Sequence, residues 1–179
     1  MKKILLALAA TTAIGLTANA YAADSTAQAD TKVDYKKNGG YDASSTAEQT
    51  NADGTKKVAK KSADVNVDSK GNLDETVKSE TSSDAKGLMN AKKDTAKTTY
   101  KDKSNGGYKK TTTKAHVDHA GTDTKTENST DVDVDSNGKT TEVDKTTNTT
   151  DPKGLMNKTS TTTKVKKVDG QVVEEKTSN

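Results

Sequence analysis

The 179-residue chain has no cysteine, arginine is absent, phenylalanine and tryptophan are absent, and Pro152 is its single proline. Without cysteine there is neither a disulfide nor a thiol for lipid attachment, so stability must come from backbone pairing and side-chain contacts. Without arginine and with few aromatic rings, the chain lacks the forked donors and stacking surfaces that nucleic-acid recognition uses. No nucleic-acid partner is expected.

Long apolar runs are also missing, apart from one at the start. "MKKILLALAATTAIGLTANAYA" opens with Lys2 and Lys3, continues through an apolar run from Ile4 to Leu16, and closes on Ala20-Tyr21-Ala22. These are the charged, apolar and small-residue parts of a bacterial secretory signal. A membrane anchor needs about 20 apolar residues; this run is shorter and is followed by Thr17 and Asn19. Residues 1–22 read as a signal peptide cleaved after Ala22, with cleavage after Ala20 as the lesser alternative. The mature product is expected to be periplasmic or secreted, with no membrane span.

From Ala23 onward 157 residues remain, and the large apolar or aromatic ones are 13 Val, 3 Leu, 2 Met and 4 Tyr. Those 22 side chains are too few to fill a dry core between two layers. Thr and Val together supply 41 mature residues, and both favour strands over helices. After the signal, 27 Lys face 26 acidic residues, so the chain is close to neutral.

Against that background a repeat stands out. Lys-Gly-Leu-Met-Asn occurs at residues 86–90 and again at 153–157, an offset of 67. "NGGY" at Asn38 returns at Asn105, and "DVNVDSKG" at Asp64 returns as "DVDVDSNG" at Asp131. Aligning Val33–Thr98 with Tyr100–Val165 needs no gap and gives 25 identities in 66 positions. We read residues 23–32 as a flexible N-terminal segment, 33–98 and 100–165 as two repeats, and 166–179 as a partial repeat forming a hairpin.

A finer period lies inside each repeat. From Gly40 the polar glycine clusters follow at steps of 14, 17, 16, 19, 15, 17, 16 and 16 residues. Many are turn formers, including Asn38-Gly39, Asp53-Gly54, Asn137-Gly138 and Asp169-Gly170, because these residues tolerate the positive φ of tight hairpins. Between them apolar residues sit two or four apart: Val33 and Tyr35, Val65 and Val67, Leu73 and Val77, Ala115 and Val117, Val132 and Val134. That is strand spacing with one mildly apolar and one polar face.

The expected fold is all-β: an extended antiparallel meander of about ten strands, built from two 67-residue repeats, as a single layer wetted on both faces. Cross-strand Lys–carboxylate and Thr–Thr pairs would stabilise it by ~0.2–1 kcal/mol each. A β-solenoid would need more inward-pointing apolar residues. A largely disordered chain is the alternative that this low apolar content also allows.

Candidate sites are sparse. Asp133, Asp135 and Asn137, followed by Gly138, fit the first half of a calcium loop, and Asp144 stands where the closing ligand belongs. Against calcium, Asp is shorter than the usual closing Glu, and the first repeat has Lys70 and Val77 at ligand positions. His116 and His119 would point to opposite faces of a strand, unsuited to one metal unless a turn intervenes. The run Lys56, Lys57, Lys60 and Lys61 suits a solvated face or weak attraction to anionic envelope components.

Nucleophilic catalysis needs a base held against Ser or Cys by packed neighbours, which this composition does not provide. No enzyme activity and no cofactor other than calcium is expected. Leu88-Met89 and Leu155-Met156 read either as anchors folding a wide loop onto the sheet or as knobs for a partner. An exported, non-enzymatic structural or surface-interaction protein of the bacterial envelope is the first functional expectation. A hydrophilin-like stress protectant and a weak calcium-binding module are the alternatives. An exposed sheet edge would invite self-association, which abundant Lys would oppose.

Overall fold

The computed structural model describes residues 26–85, 91–154 and 157–179. The signal segment and the four residues Leu88, Met89, Leu155 and Met156 lie outside the described residues.

The described residues form ten strands and no helix: β1 (Thr26–Tyr35), β2 (Tyr41–Thr50), β3 (Lys56–Val67), β4 (Leu73–Asp84), β5 (Lys92–Asp102), β6 (Tyr108–Val117), β7 (Asp123–Val134), β8 (Thr140–Asp151), β9 (Thr159–Val168) and β10 (Gln171–Ser178). They make one open antiparallel sheet in which each strand pairs with its neighbours in sequence. This is the meander that the turn spacing calls for, and it is not a solenoid. β1 reaches back to Thr26, so most of the segment expected to be flexible is strand, paired with β2 from Thr26↔Thr50 to Tyr35↔Tyr41. Ala27 and Ala29 continue the alternation of Val33 and Tyr35, but with methyls alone, and the neighbouring ladder adds the pairing.

Six links share one turn design. In residues 36–40, 51–55, 68–72, 103–107, 118–122 and 135–139, the first N–H donates to the fifth carbonyl. The fourth residue, a glycine, donates its N–H to the first carbonyl. This is a type I turn followed by a left-handed residue, the common three-residue hairpin connection. Gly138 shows why the residue must be glycine, since its φ of 81° is one that L side chains rarely adopt. Between β9 and β10 the turn shortens to Asp169-Gly170, both with positive φ (50° and 81°), as a type I′ turn requires.

The registers fix which residues share a face. Within β1–β4 pairs match odd with odd, for example Ala43↔Ala63 and Ala63↔Val77. Across β4 and β5 the match changes to Val77↔Thr98 and Glu75↔Tyr100, and a second change follows between β8 and β9 at Asp144↔Val165. Both of these changes fall at links that carry the Lys-Gly-Leu-Met-Asn sequence, whereas the mixed start of β9–β10, Gln171↔Val168, is undone within the strand by the irregularity between Val172 and Glu174.

One face, here the first, carries Val33, Ala43, Ala63 and Val77 in a single transverse row, which continues as Thr98, Thr112, Asn128, Thr146, Thr163 and Thr177. The buried hydrophobic residues, Ala43, Ala47, Ala59, Ala63 and Val65, all lie on the β2–β3 part of this face. Polar side chains are none of them fully buried among the described residues.

The expected division into one apolar and one polar face is only partly realised. Val58, Ala115, Val117, Val143 and Val168 stand on the second face, because their registers place them beside Ser82, Lys125, Asp123, Lys166 and Thr141.

Candidate functional site

The charged groups of the sheet are organised around three lysines. Lys36 opens the turn after β1, and its Nζ reaches Asp64 Oδ1 at 2.6 Å, Asp42 Oδ1 at 3.0 Å and Asn66 Oδ1 at 3.0 Å. Sixty-seven residues on, Lys103 opens the turn after β5 and pairs with Asp131 and, at 2.7 Å, with Asp133 Oδ1. In both places the turn swings a half-buried lysine across β2 or β6 onto the far end of the next strand. Lys167 of β9 completes the set, with Nζ at 2.7 Å from both Glu142 Oε1 and Asp144 Oδ2.

These contacts set the titration. A hydrogen bond to Asp64, opposed by desolvation and helped by Asp42, raises Lys36 above its ordinary value. Bonds to Asp131 and Asp133 raise Lys103 in the same way. The Lys36 bond lowers Asp64, and the bonds from Lys103 and Asn105 lower Asp133. Burial acts to raise Asp144, but bonds from Lys167 and Thr130 outweigh it and hold the carboxyl low. Every one of these groups is pushed away from neutrality, opposite to the tuning that proton-transfer chemistry near pH 7 needs.

The calcium-loop residues do not converge. Asp133 faces Lys103 and Asn105, with Asn105 Nδ2 donating at 3.2 Å. Asp135 Oδ1 caps its own turn, accepting the N–H of Asn137 at 2.8 Å and of Lys139 at 2.9 Å. Asp144 lies opposite Thr130, three residues back from Asp133 along β7, and accepts the Thr130 hydroxyl at 2.7 Å. Asp133 and Asp144 also belong to opposite faces, since Asp133 pairs with Thr141 and Asp144 with Thr130. Among the described residues no group of three or more His, Asp or Glu side chains gathers around a common point.

His116 lies on β6 and its Nδ1 is 2.6 Å from Asp94 Oδ1 on β5, at a shallow groove also lined by Ser79, Ala96 and Thr124. His119 sits in the following turn, beside Asp118, whose carboxyl is lowered chiefly by the Thr122 N–H. The lysine run divides between the faces: Lys57 and Lys61 flank Ala59 on the first, while Lys56 and Lys60 flank Val58 on the second, where Lys60 stands opposite Glu80.

The expected cross-strand threonine pairs are present and gather into a hydroxyl zipper on the first face, where Thr98 and Thr112 hydroxyls lie 3.2 Å apart, Thr146 donates to Asn128 at 2.9 Å, and Thr163 and Thr177 lie 3.2 Å apart. A tyrosine stack escaped the sequence: Tyr100 and Tyr108 rings are 5.5 Å apart, and the Tyr100 hydroxyl donates to Asp102 at 2.8 Å. Burial, then that carboxylate, pushes Tyr100 up to about 12. Only the return of "NGGY" hinted at the stack, since it fixes Tyr108 just after a turn.

Among the described residues no helix is long and apolar enough to cross a membrane. No family model, curated protein or solved structure matches the chain.

Proposed function

We propose that the chain is an exported, non-enzymatic structural protein of the bacterial envelope, built by tandem duplication of a 67-residue unit. One observation carries this reading: the described residues form a single ten-stranded layer whose side chains largely hold the layer together. Lys36, Lys103 and Lys167 are tied to carboxylates, several threonines to each other, and the buried apolar residues form a strip of small side chains on β2 and β3. Such a layer offers area and edges rather than an enclosed reaction chamber. The signal-like start of the sequence supports export.

The test is to express the full chain with its own leader in a bacterial host, fractionate the cells and sequence the product's N-terminus. The expected product begins at Ala23, is found in the periplasm or medium, and gives a β-sheet circular dichroism spectrum. A full-length product retained in the cytoplasm overturns export, and a random-coil spectrum overturns the structural role in favour of a flexible protectant.

A further inference from the structure

We propose that this chain assembles with copies of itself, head to tail, by pairing β10 of one molecule with β1 of the next. The inference deepens the structural reading above by naming the partner as a second copy of the chain.

Among the described residues the sheet is open, so the outer edges of β1 and β10 each present a row of main-chain groups with no neighbouring strand. Ten is an even number of strands in a strict antiparallel meander, so β10 runs opposite to β1. Translation of a second molecule therefore continues the antiparallel pattern with the same face outward. The large hydrophobic side chains that stand exposed among the described residues are Val33 (39%), Tyr35 (82%), Val172 (59%) and Val173 (57%). Two belong to β1 and two to β10, and all four lie at the same end of the sheet, next to the turns at 36–40 and 169–170.

Charge selects the register. On the second face β1 presents Asp30 and Lys32, and β10 presents Glu174 and Lys176. Placing Lys176 opposite Asp30 puts Glu174 opposite Lys32, with nearly the whole of β10 covered. A two-residue slide one way sets Lys176 against Lys32 and Glu174 against Asp34. A slide the other way sets Glu174 against Asp30, so both neighbouring registers oppose like charges. β10 carries an irregularity between Val172 and Glu174, seen against β9 as Lys167↔Val172 and Lys166↔Glu174. The same extra residue read from the other side brings Val172 opposite Val33 on the first face.

Lys32 now pairs with Asp34 along its own strand at 2.8 Å, and Lys176 with Glu174 at 2.6 Å. Both couples are exposed, so exchanging partners across the new contact costs little desolvation. The contact joins two different surfaces and does not close, so it generates an open array.

Sedimentation of the mature chain across rising concentration tests the proposal, with growth beyond a dimer expected. Exchanging charges on one edge, Asp30→Lys with Lys32→Glu, should weaken association at least about tenfold, and so should Glu174→Lys with Lys176→Glu. An equimolar mixture of the two variants should restore it. Because the chain has no cysteine, one molecule carrying Asp30→Cys and Lys176→Cys should form a ladder of disulfide-linked multimers on oxidation. The shifted combination Gln28→Cys and Lys176→Cys should not. A chain that stays monomeric at all concentrations, association unchanged by either exchange, or equal linkage by the shifted combination would overturn the inference. A monomeric, β-rich, exported protein would sink edge pairing and leave the proposed function standing.

Discussion

Ala43 of β2 stands directly opposite Ala63 of β3, and both methyls are buried, at 8% and 6% exposure, although the described residues form only one layer. With no second sheet, the cover must come from longer neighbours on the same face, such as Lys61, which lies between Ala59 and Ala63 on β3. Lysine stems can lie along apolar surface while the ammonium stays in water. Ala63→Asp would place a carboxylate beneath that cover and should cost about 1–3 kcal/mol in urea unfolding. Ser178→Asp, on an exposed edge position, should stay within about 0.5 kcal/mol of the parent. Equal effects at the two sites would show that the methyl strip contributes nothing.

Two glycines should be far less replaceable than their neighbours. A Cβ built on Gly40 would fall inside the carbonyl oxygen of Val65, and one on Gly107 inside that of Val132. Both are backbone atoms of the adjacent strand, so relief requires parting the ladder. Gly40→Ala and Gly107→Ala should each destabilise by about 1–3 kcal/mol, the range of overpacking. Gly39 has open space around it and only its φ of 84° to satisfy, so Gly39→Asn should cost about 1 kcal/mol or less. Denaturant midpoints for the three variants decide the order.

Those glycines mark how far the sequence could be read. Turn positions were legible because Asn38-Gly39 and Asn137-Gly138 sit where only a few residue types fit. Strands between them were legible from alternation, as at Val65 and Val67. The start of β1 at Thr26 was not, because Ala27 and Ala29 extend the Val33–Tyr35 alternation only with small methyls, and the pairing with β2 is what orders them. Assigning residues to faces failed for Ala115 and Val117, since alternation fixes a face only relative to the same strand. The register across β4 and β5, Val77↔Thr98, carries that assignment to the next strands. The lysine clusters were hidden for a related reason: Lys36 and Asp64 are 28 residues apart and meet only through two hairpins.

The same clusters set the pH range of stability. Asp64 and Asp133 are held below the ordinary 3.8, so each favours the folded state above that value and loses its contribution as pH falls through its folded pKa. Lys36 and Lys103 are raised above 10.5, so they contribute fully below it and lose that contribution as pH rises through the higher folded value. The melting temperature should be level between these limits, declining only in acid below about pH 4 and in alkali above about pH 10.5. Thermal melts across pH 3–11 check this.

Calcium supplies the last prediction. To bind at residues 133–144, the ion would have to draw Asp133 from Lys103, Asp135 from the N–H groups of its turn, and Asp144 from Lys167 and Thr130. It would also have to bring Asp133 and Asp144 together from opposite faces of the sheet, which requires breaking the β7–β8 register. Millimolar calcium should therefore leave both the melting temperature and the far-ultraviolet spectrum unchanged. Asp144→Asn should lower stability by about 0.5–1 kcal/mol, the worth of a partly exposed ion pair, since Lys167 keeps Glu142. A calcium-dependent rise in melting temperature that disappears in Asp133→Asn would show that the loop rearranges to bind the ion, and that the lysine pairs are the resting state of a calcium site.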